Sequence, residues 1–144
     1  MTSAEAPKAD EPTVVIAEDE ALIRLDLREM LQEEGYRVVG EAGDGETAVA
    51  LAEQLRPDLV MLDVRMPVLD GITAAERIVA ARWSAVVMVT AYSQRDQVPR
   101  ARDAGAMAYV VKPFTAADLI PAIEIARSRF AQILALEADV ADLG

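Results

Sequence analysis

The chain has 144 residues, of which 53% are hydrophobic and only 4% aromatic, so we expect one domain with an aliphatic core. It contains neither cysteine nor histidine, which excludes disulfides, Cys/His zinc sites and catalytic triads with a histidine base. Acidic residues outnumber basic ones 25 to 14, and the formal net charge of −11 disfavours binding to nucleic acid or to anionic membranes.

The chain begins with a polar segment rich in Pro and Ala, residues 1–12, which predicts a disordered tail. This segment lacks the apolar centre of a signal peptide, and no apolar run in the sequence approaches the length of a membrane span. We therefore expect a soluble cytoplasmic protein that makes no membrane contact.

From Thr13 onward, short apolar runs alternate with longer segments of helical period. The apolar runs are Val14–Ala17, Val38–Gly40, Leu59–Leu62, Val86–Val89 and Met107–Val111. The helical segments are Ala21–Glu34, Glu46–Arg56, Gly71–Arg82 and the region from Thr115 on. Continuously apolar strands are buried on both faces, so the alternation predicts a five-stranded parallel sheet with helices on both sides. An all-helical bundle fits less well, because the runs are short and rich in Val and Ile.

Two prolines fall within segments that otherwise have a helical pattern. Pro99 predicts a fourth helix that is either kinked or short, beginning near Val98 and ending near Ala104, because proline is tolerated in a first helical turn but not in the interior. Pro121 predicts a loose or bent first turn in the fifth helix.

Polar residues stand where the predicted strands end. Glu18 and Asp19 follow the first strand, Asp63 ends the third, Thr90 the fourth and Lys112 the fifth. Ligands bind beyond the carboxyl ends of parallel strands, so we expect these side chains to converge at one edge of the sheet. Three acids that close together need a cation, and hard oxygen ligands favour Mg²⁺, Mn²⁺ or Ca²⁺. An aspartate beside such an ion and a lysine is a candidate nucleophile toward a phosphoryl group.

Each of these residues taken alone has a simpler explanation. Glu18 and Asp19 could be solvated acids at a strand end, Asp63 could cap a helix, and Thr90 could be an ordinary strand residue. Lys112 is the hardest to explain in this way, because a lysine at a buried strand end needs a partner.

Taken together, Glu18, Asp19, Asp63, Thr90 and Lys112, with the cis-prone Lys112–Pro113 step, resemble the receiver domain of two-component response regulators. The resemblance implies a flavodoxin-like (CheY-like) fold. It places the receiver domain at residues 13–126 and leaves residues 127–144 as a helical extension of the last helix. It also implies that the domain is not an enzyme acting on other molecules, and that it catalyses only its own phosphorylation and the slow loss of that phosphoryl group.

The resemblance also assigns chemistry to the acids. Asp63 would accept a phosphoryl group from a phosphohistidine of a sensor histidine kinase. Mg²⁺ (or Mn²⁺) would be held by Glu18, Asp19, Asp63 and the backbone carbonyl of Arg65, and would neutralise charge in the transition state.

The remaining residues of the resemblance would contact the phosphoryl group or tune its lifetime. Lys112 and the Thr90 hydroxyl would bind phosphoryl oxygens. Tyr109 would be the switch aromatic that follows Thr90, although a static, half-buried tyrosine is the alternative. Arg65 and Tyr92 occupy positions that flank the path of attacking water, and their bulk predicts slow self-hydrolysis.

The C-terminal segment carries a second pattern. Ile133, Leu136, Val140 and Leu143 are spaced 3, 4 and 3 residues apart, which is typical of a coiled-coil seam and predicts a dimer through this helix, with a frayed helix as the open alternative. The stretches ALIRLDLREMLQEEGY, AYSQRDQVPRARDAGAMAYVVKPF and DLIPAIEIARSRF resemble receivers of antiterminator (ANTAR) regulators. That resemblance implies an RNA-binding output outside these residues, and no direct nucleic-acid binding by the chain itself. The alternative is a stand-alone receiver that acts by contact with a partner protein.

Two other classes fit the sequence less well. An aspartate-dependent phosphatase usually carries its nucleophile at the end of the first strand with a second Asp two residues later, whereas this strand ends in Glu18–Asp19–Glu20. A flavin-binding module needs a phosphate-cradling loop rich in Gly or Ser/Thr after the first strand, and none follows it.

Overall fold

The computed structural model describes residues 11–143, with the side chains of Tyr92 and of residues 141–143 excepted. The predicted tail at residues 1–12 therefore lies almost wholly outside the described residues. The elements in chain order are β1 (Thr13–Ala17), α1 (Ala21–Glu33), β2 (Arg37–Ala42), α2 (Gly45–Leu55), β3 (Leu59–Asp63), α3 (Gly71–Ala80), β4 (Ala85–Ala91), α4 (Val98–Asp103), β5 (Ala108–Lys112) and α5 (Ala116–Leu143).

The five strands form one parallel sheet in the order β2-β1-β3-β4-β5. Every residue of β3 is buried, as is nearly all of β1 and β4, because the central strands are covered on both faces. The core is aliphatic, as the composition predicts. The predicted parallel α/β fold is confirmed, and its strand order reverses between β1 and β3, the kind of position at which open α/β sheets bind ligands.

Short local signals set several helix ends. Asp44 and Asp70 accept hydrogen bonds from the backbone N–H groups of Thr47 (2.7 Å) and Thr73 (2.9 Å), and so cap α2 and α3. Gly35 has a φ of +90° where the chain leaves α1, a conformation that glycine adopts without strain. These contacts fix the loops that lead into and out of the sheet.

The fourth helix is short, which is one of the two outcomes that Pro99 predicts. Residues Tyr92–Gln97 form a 3-10 helix, and α4 occupies only Val98–Asp103 with the proline in its first turn. By contrast, α5 continues through Pro121 without interruption. Among the helices of the described residues, none is both long and apolar enough to cross a membrane.

The C-terminal half of α5 divides into two faces. Phe130 and Ile133 pack against the core of the domain, so Ile133 faces its own domain. Leu136 and Val140 are 65% and 69% exposed. The side chain of Leu143 lies outside the described residues, and the predicted dimer seam therefore stays a prediction that rests on Leu136 and Val140.

Candidate functional site

The carboxyl ends of four neighbouring strands carry the candidate site. Glu18 follows β1, Asp63 ends β3, Thr90 lies near the end of β4, and Lys112 ends β5. The parallel register sets Asp63 opposite Val89 and Ala91 opposite Lys112, so the four side chains reach the same edge of the sheet. Glu18, Asp63 and Thr90 are buried at 1%, 4% and 0% exposure, which is unusual for polar residues unless they have partners.

Lys112 joins the two buried acids. Its Nζ lies 2.6 Å from Oε1 of Glu18 and 3.1 Å from Oδ2 of Asp63. Burial alone would lower the pKa of Lys112, but the close contacts with the carboxylates of Glu18 and Asp63 outweigh it, so the pKa lies above its ordinary value. Lys112 therefore stays protonated and compensates part of the negative charge.

A group of carboxylates lies beside this bridge. Oxygen atoms of Glu18, Asp19 and Glu20 all lie within 4.8 Å of one another, and Asp19 and Glu20 are exposed. Oε1 of Glu18 is buried and has the ion pair with Lys112 but no hydrogen bond of good geometry. Clustered carboxylate oxygens, one of them underused, fit a hard divalent cation such as Mg²⁺.

Asp63 stands apart from that group of three. Its Oδ1 accepts a hydrogen bond from the backbone N–H of Arg65 at 3.3 Å, and its Oδ2 faces Lys112. Asp19 and Arg65 line one open cleft of about 380 Å³ beside it. Glu20, which was not among the predicted ligands, belongs to the group whose oxygens lie within 4.8 Å of one another, and Asp63 does not. Ligation by Asp63 and by the Arg65 carbonyl stays a prediction.

The predicted switch residues, Thr90 and Tyr109, lie near the carboxyl end of β4 and in β5. The Thr90 hydroxyl donates to the backbone carbonyl of Ala91 at 3.2 Å, and the Ala91 N–H donates to Oε1 of Gln94, also at 3.2 Å. Tyr109 is 45% exposed and borders an apolar cleft of about 440 Å³ between α4, β5 and α5. The Lys112–Pro113 peptide bond is cis, as predicted.

The structure describes the side chain of one of the two predicted tuning residues. Arg65 is exposed at the rim of the site. The side chain of Tyr92 lies outside the described residues.

Sequence reasoning missed two contributors to this edge. Arg24 reaches back from α1 to the backbone carbonyl of Glu18, a contact that no side-chain pattern in the sequence indicates. Gly71 is required because a Cβ atom there would lie 1.8 Å from the carbonyl oxygen of Asp63. No side-chain pattern reveals a close approach between two backbone segments.

Comparison with known proteins gives a consistent result. The family model described as response regulator receiver domain matches residues 14–124. The transcriptional regulatory protein PdtaR of Mycobacterium tuberculosis is 66% identical over 130 residues, which cover 90% of this chain and 63% of the relative. The chain thus spans less than two thirds of that relative's length. The chemotaxis protein CheY of Bacillus subtilis is 38% identical over 111 residues, 76% of this chain and 92% of the relative.

Solved structures agree in fold. The signal receiver domain of a modulated diguanylate cyclase from Desulfovibrio desulfuricans superposes with a TM-score of 0.78 at 33% identity, covering 85% of this chain and 98% of the other. The receiver domain of a Pseudomonas aeruginosa sensor histidine kinase, solved with a magnesium ion coordinated in its active site cleft, has a TM-score of 0.73 at 30% identity, with coverage of 82% and 98%.

Proposed function

The chain belongs to the response regulator receiver domain family, and on that premise we propose that Asp63 accepts a phosphoryl group from a histidine kinase in a Mg²⁺-dependent reaction in the cytoplasm. The observation that best supports this proposal is the contact of Lys112 with both Glu18 and Asp63 at the carboxyl edge of the sheet. A partly buried lysine shared by two acids provides the positive charge that an incoming phosphoryl group requires.

The chain's own residues prepare Asp63 for this reaction. The Arg65 N–H and the Lys112 ammonium orient the carboxylate, so that one oxygen can attack phosphorus in line. The new P–O bond forms as the bond to the donor atom breaks, and the donor leaves with that electron pair. A bound Mg²⁺ would neutralise the phosphoryl oxygens and the carboxylates during the transfer. Glu18 and Asp19 are the residues best suited to hold it, with Glu20 close by.

The response to phosphorylation runs through Thr90. Its hydroxyl would turn from the Ala91 carbonyl toward a phosphoryl oxygen, and Tyr109, now 45% exposed, would rotate inward. The surface formed by α4, β5 and α5 would change with it and act on an output domain or partner.

An RNA-binding output of the antiterminator type is the first candidate for that output. Its support is the resemblance of this sequence to such receivers and the 66% identity to a transcriptional regulator of which the chain spans 63%. A stand-alone receiver that acts by contact with a partner protein is the second candidate. Its support is the match to the chemotaxis protein CheY of Bacillus subtilis, which extends over 92% of that protein's length.

The acceptor is tested by the intact mass of the protein after incubation with Mg²⁺ and a small acyl phosphate. We expect one added phosphoryl group on the wild type, none on Asp63→Asn, and none when the divalent ion is chelated. An equal mass increase on Asp63→Asn would reject Asp63 as the acceptor. No increase on the wild type with either the acyl phosphate or a phosphorylated histidine kinase would reject the proposed function.

The lifetime of the phosphoryl group tests the proposed tuning role of Arg65 and Tyr92. We expect wild-type protein to hold the group well beyond seconds, and Arg65→Ala to lose it severalfold faster because water reaches Asp63 more easily. The decay of the phosphorylated mass with time measures both rates. A wild-type lifetime of seconds would contradict the proposed tuning.

A further inference from the structure

We propose that Arg24 is a positioning residue for the acidic loop at Glu18–Glu20, braced by Glu41, and that it thereby sets the affinity of the divalent cation. The proposal rests on the proposed function, because that function assigns the cation to this loop. It assigns a role in cation binding to Arg24 of α1 and Glu41 of β2. Arg24 contacts the backbone of the acidic loop, not its carboxylates, and Glu41 contacts Arg24.

The contacts of Arg24 converge on the loop from its own helix. Its Nη1 donates to the backbone carbonyl of Glu18 at 2.6 Å, and its Nε lies 3.2 Å from Oε1 of Glu41. The Arg24 side chain is 25% exposed, so these contacts are partly shielded from water. Side chains in a helix point toward its N-terminus, which is why a residue in the first turns of α1 reaches the loop that precedes the helix.

Each polar group of Glu18 contacts a neighbouring group. Its N–H donates to the carbonyl of Ala42, and its carbonyl accepts from Arg24. Its Oε2 accepts from the N–H of Glu20, and its Oε1 contacts Lys112. The Ala42 contact ties the backbone of Glu18 directly to the end of β2. Arg24 ties the same backbone to β2 indirectly, through its own contact with Glu41. The orientation of the carboxylate therefore depends on a backbone that Arg24 helps to fix.

Glu41 connects two arginines of α1 but only one of them reaches the loop. Its Oε1 contacts Arg24, and its Oε2 accepts from Nη1 of Arg28 at 2.9 Å. Arg28 thus shares the same carboxylate and the same helix as Arg24 without contact to Glu18. This arrangement supplies a matched control within the chain.

Two effects of Arg24 on a cation oppose each other. Its positive charge repels a divalent ion, but Glu41 at 3.2 Å offsets that charge, and solvent and salt screen what is left. Its hold on the Glu18 backbone orients a ligand, and residues that orient metal ligands typically change metal affinity 10- to 100-fold. Positioning is the larger effect, so loss of Arg24 weakens binding although it removes a positive charge.

The test measures Mn²⁺ dissociation constants by electron paramagnetic resonance on the whole chain, with no phosphodonor present. We expect Arg24→Ala to raise the dissociation constant roughly 10-fold or more, and Glu41→Gln to raise it by a smaller factor because the Glu18 contact survives. Arg28→Ala should bind Mn²⁺ like the wild type. Arg24→Lys keeps the charge but lacks the guanidinium's fixed set of donors, and we expect weaker binding than in the wild type.

Thermal unfolding of the metal-free variants separates positioning from general damage. Equal or tighter Mn²⁺ binding by Arg24→Ala would overturn the inference, and so would an Arg28→Ala effect as large as that of Arg24→Ala at equal stability. Wild-type affinity in Arg24→Lys would show that the guanidinium's simultaneous contacts with Glu18 and Glu41 do not set the affinity, and would also overturn the inference. If the wild type itself bound no Mn²⁺, the metal dependence of the proposed function would fail first, and the inference with it.

Discussion

At the scale of single residues, the site combines groups that repel one another. Glu18, Asp19 and Glu20 have carboxylate oxygens within 4.8 Å, whereas the cation that contacts this edge, Lys112, is shared with Asp63. At such distances each pair of like charges costs about 1 kcal/mol even in water. The arrangement is destabilising without a divalent ion, and residues kept at this cost are typical of functional sites.

Asp19→Asn tests whether the clustered carboxylates destabilise the metal-free protein. We expect the free energy of unfolding in metal-free buffer to rise by about 1 kcal/mol, because one of three clustered charges is removed. The stabilisation that Mg²⁺ gives the wild type should be largely lost in the variant, since a ligand is gone. Urea unfolding with and without Mg²⁺ measures both effects, with Glu29→Gln on the exposed face of α1 as the control for net charge. A less stable Asp19→Asn in metal-free buffer would show that favourable contacts hold this carboxylate.

Val68 is a second residue that carries strain beside the site. It has a φ of +69°, in the left-handed region that β-branched residues rarely adopt. Its side chain is 75% exposed, so burial of apolar surface offsets little of the backbone strain. Val68→Asn should raise the free energy of unfolding by about 1 kcal/mol, because asparagine tolerates this conformation. Val68→Thr, which is polar but still branched, should change it little. Equal stabilisation by both variants would assign the gain to polarity instead of backbone strain.

At the scale of elements, the loop between β3 and α3 closes through a backbone contact. The Gly71 N–H donates to the carbonyl of Val64 at 2.9 Å, and a Cβ atom on Gly71 would lie 1.8 Å from the backbone carbonyl oxygen of Asp63. Gly71→Ala should therefore displace the acceptor loop and lower the free energy of unfolding by about 3 kcal/mol or more. Gly43→Ala is the control, since its Cβ would meet only the end of the Arg24 side chain at 3.7 Å. Chemical denaturation of both variants checks the difference, and a Gly71→Ala as stable as Gly43→Ala would contradict it.

How far the elements could be predicted depends on the kind of signal. Continuous apolar runs identified the buried strands, and Pro99 predicted a fourth helix that is either kinked or short, of which the short form is observed, because both signals act through local sequence. The 3-10 helix at Tyr92–Gln97 has no such pattern and went unpredicted. The 3, 4, 3 spacing after Phe130 could not show that Ile133 packs on its own domain, since one apolar face suits an intramolecular or an intermolecular partner equally.

The site was predictable to a similar extent. Strand ends brought Glu18, Asp63 and Lys112 together because the parallel fold dictates where those ends meet. The contact of Arg24 with a backbone carbonyl was not predictable, because backbone acceptors are the same at every position. Side-chain types in a sequence indicate chemistry, but not which backbone groups hold that chemistry in place.

At the scale of the whole molecule, the long C-terminal helix is fastened to the domain beyond its core contacts. Arg82, which follows α3 with a φ of +60°, donates from Nε and Nη2 to the carboxylate of Glu137 at 2.8–3.1 Å. Nη1 of Arg82 donates to the carbonyl of Val79, which fixes the guanidinium. The pair ties the extension of α5 to the loop before β4, so a movement of that loop can reach the C-terminal part of the helix.

This fastening should depend on pH. The hydrogen bond from Arg82 lowers the pKa of Glu137 below its ordinary value of 4.5. Its contribution is therefore present above that ordinary value and is lost as the pH falls through the lowered pKa of the folded state. Both side chains are substantially exposed, so we expect little change in global stability. The effect should be confined to fraying of the helix after Ile133.

Hydrogen exchange at residues 134–140 measures that fraying. At neutral pH, Glu137→Gln should exchange severalfold faster than the wild type at these amides, because the charged, two-pronged contact with Arg82 is lost. The ratio between the two proteins should approach one in acid, where Glu137 is protonated in the wild type as well. Asp139→Asn, an exposed acid two residues along the same helix, should exchange like the wild type throughout. Equal exchange by Glu137→Gln and the wild type at neutral pH would mean that core packing up to Ile133 alone holds the extension, and that Arg82 does not transmit movement to it.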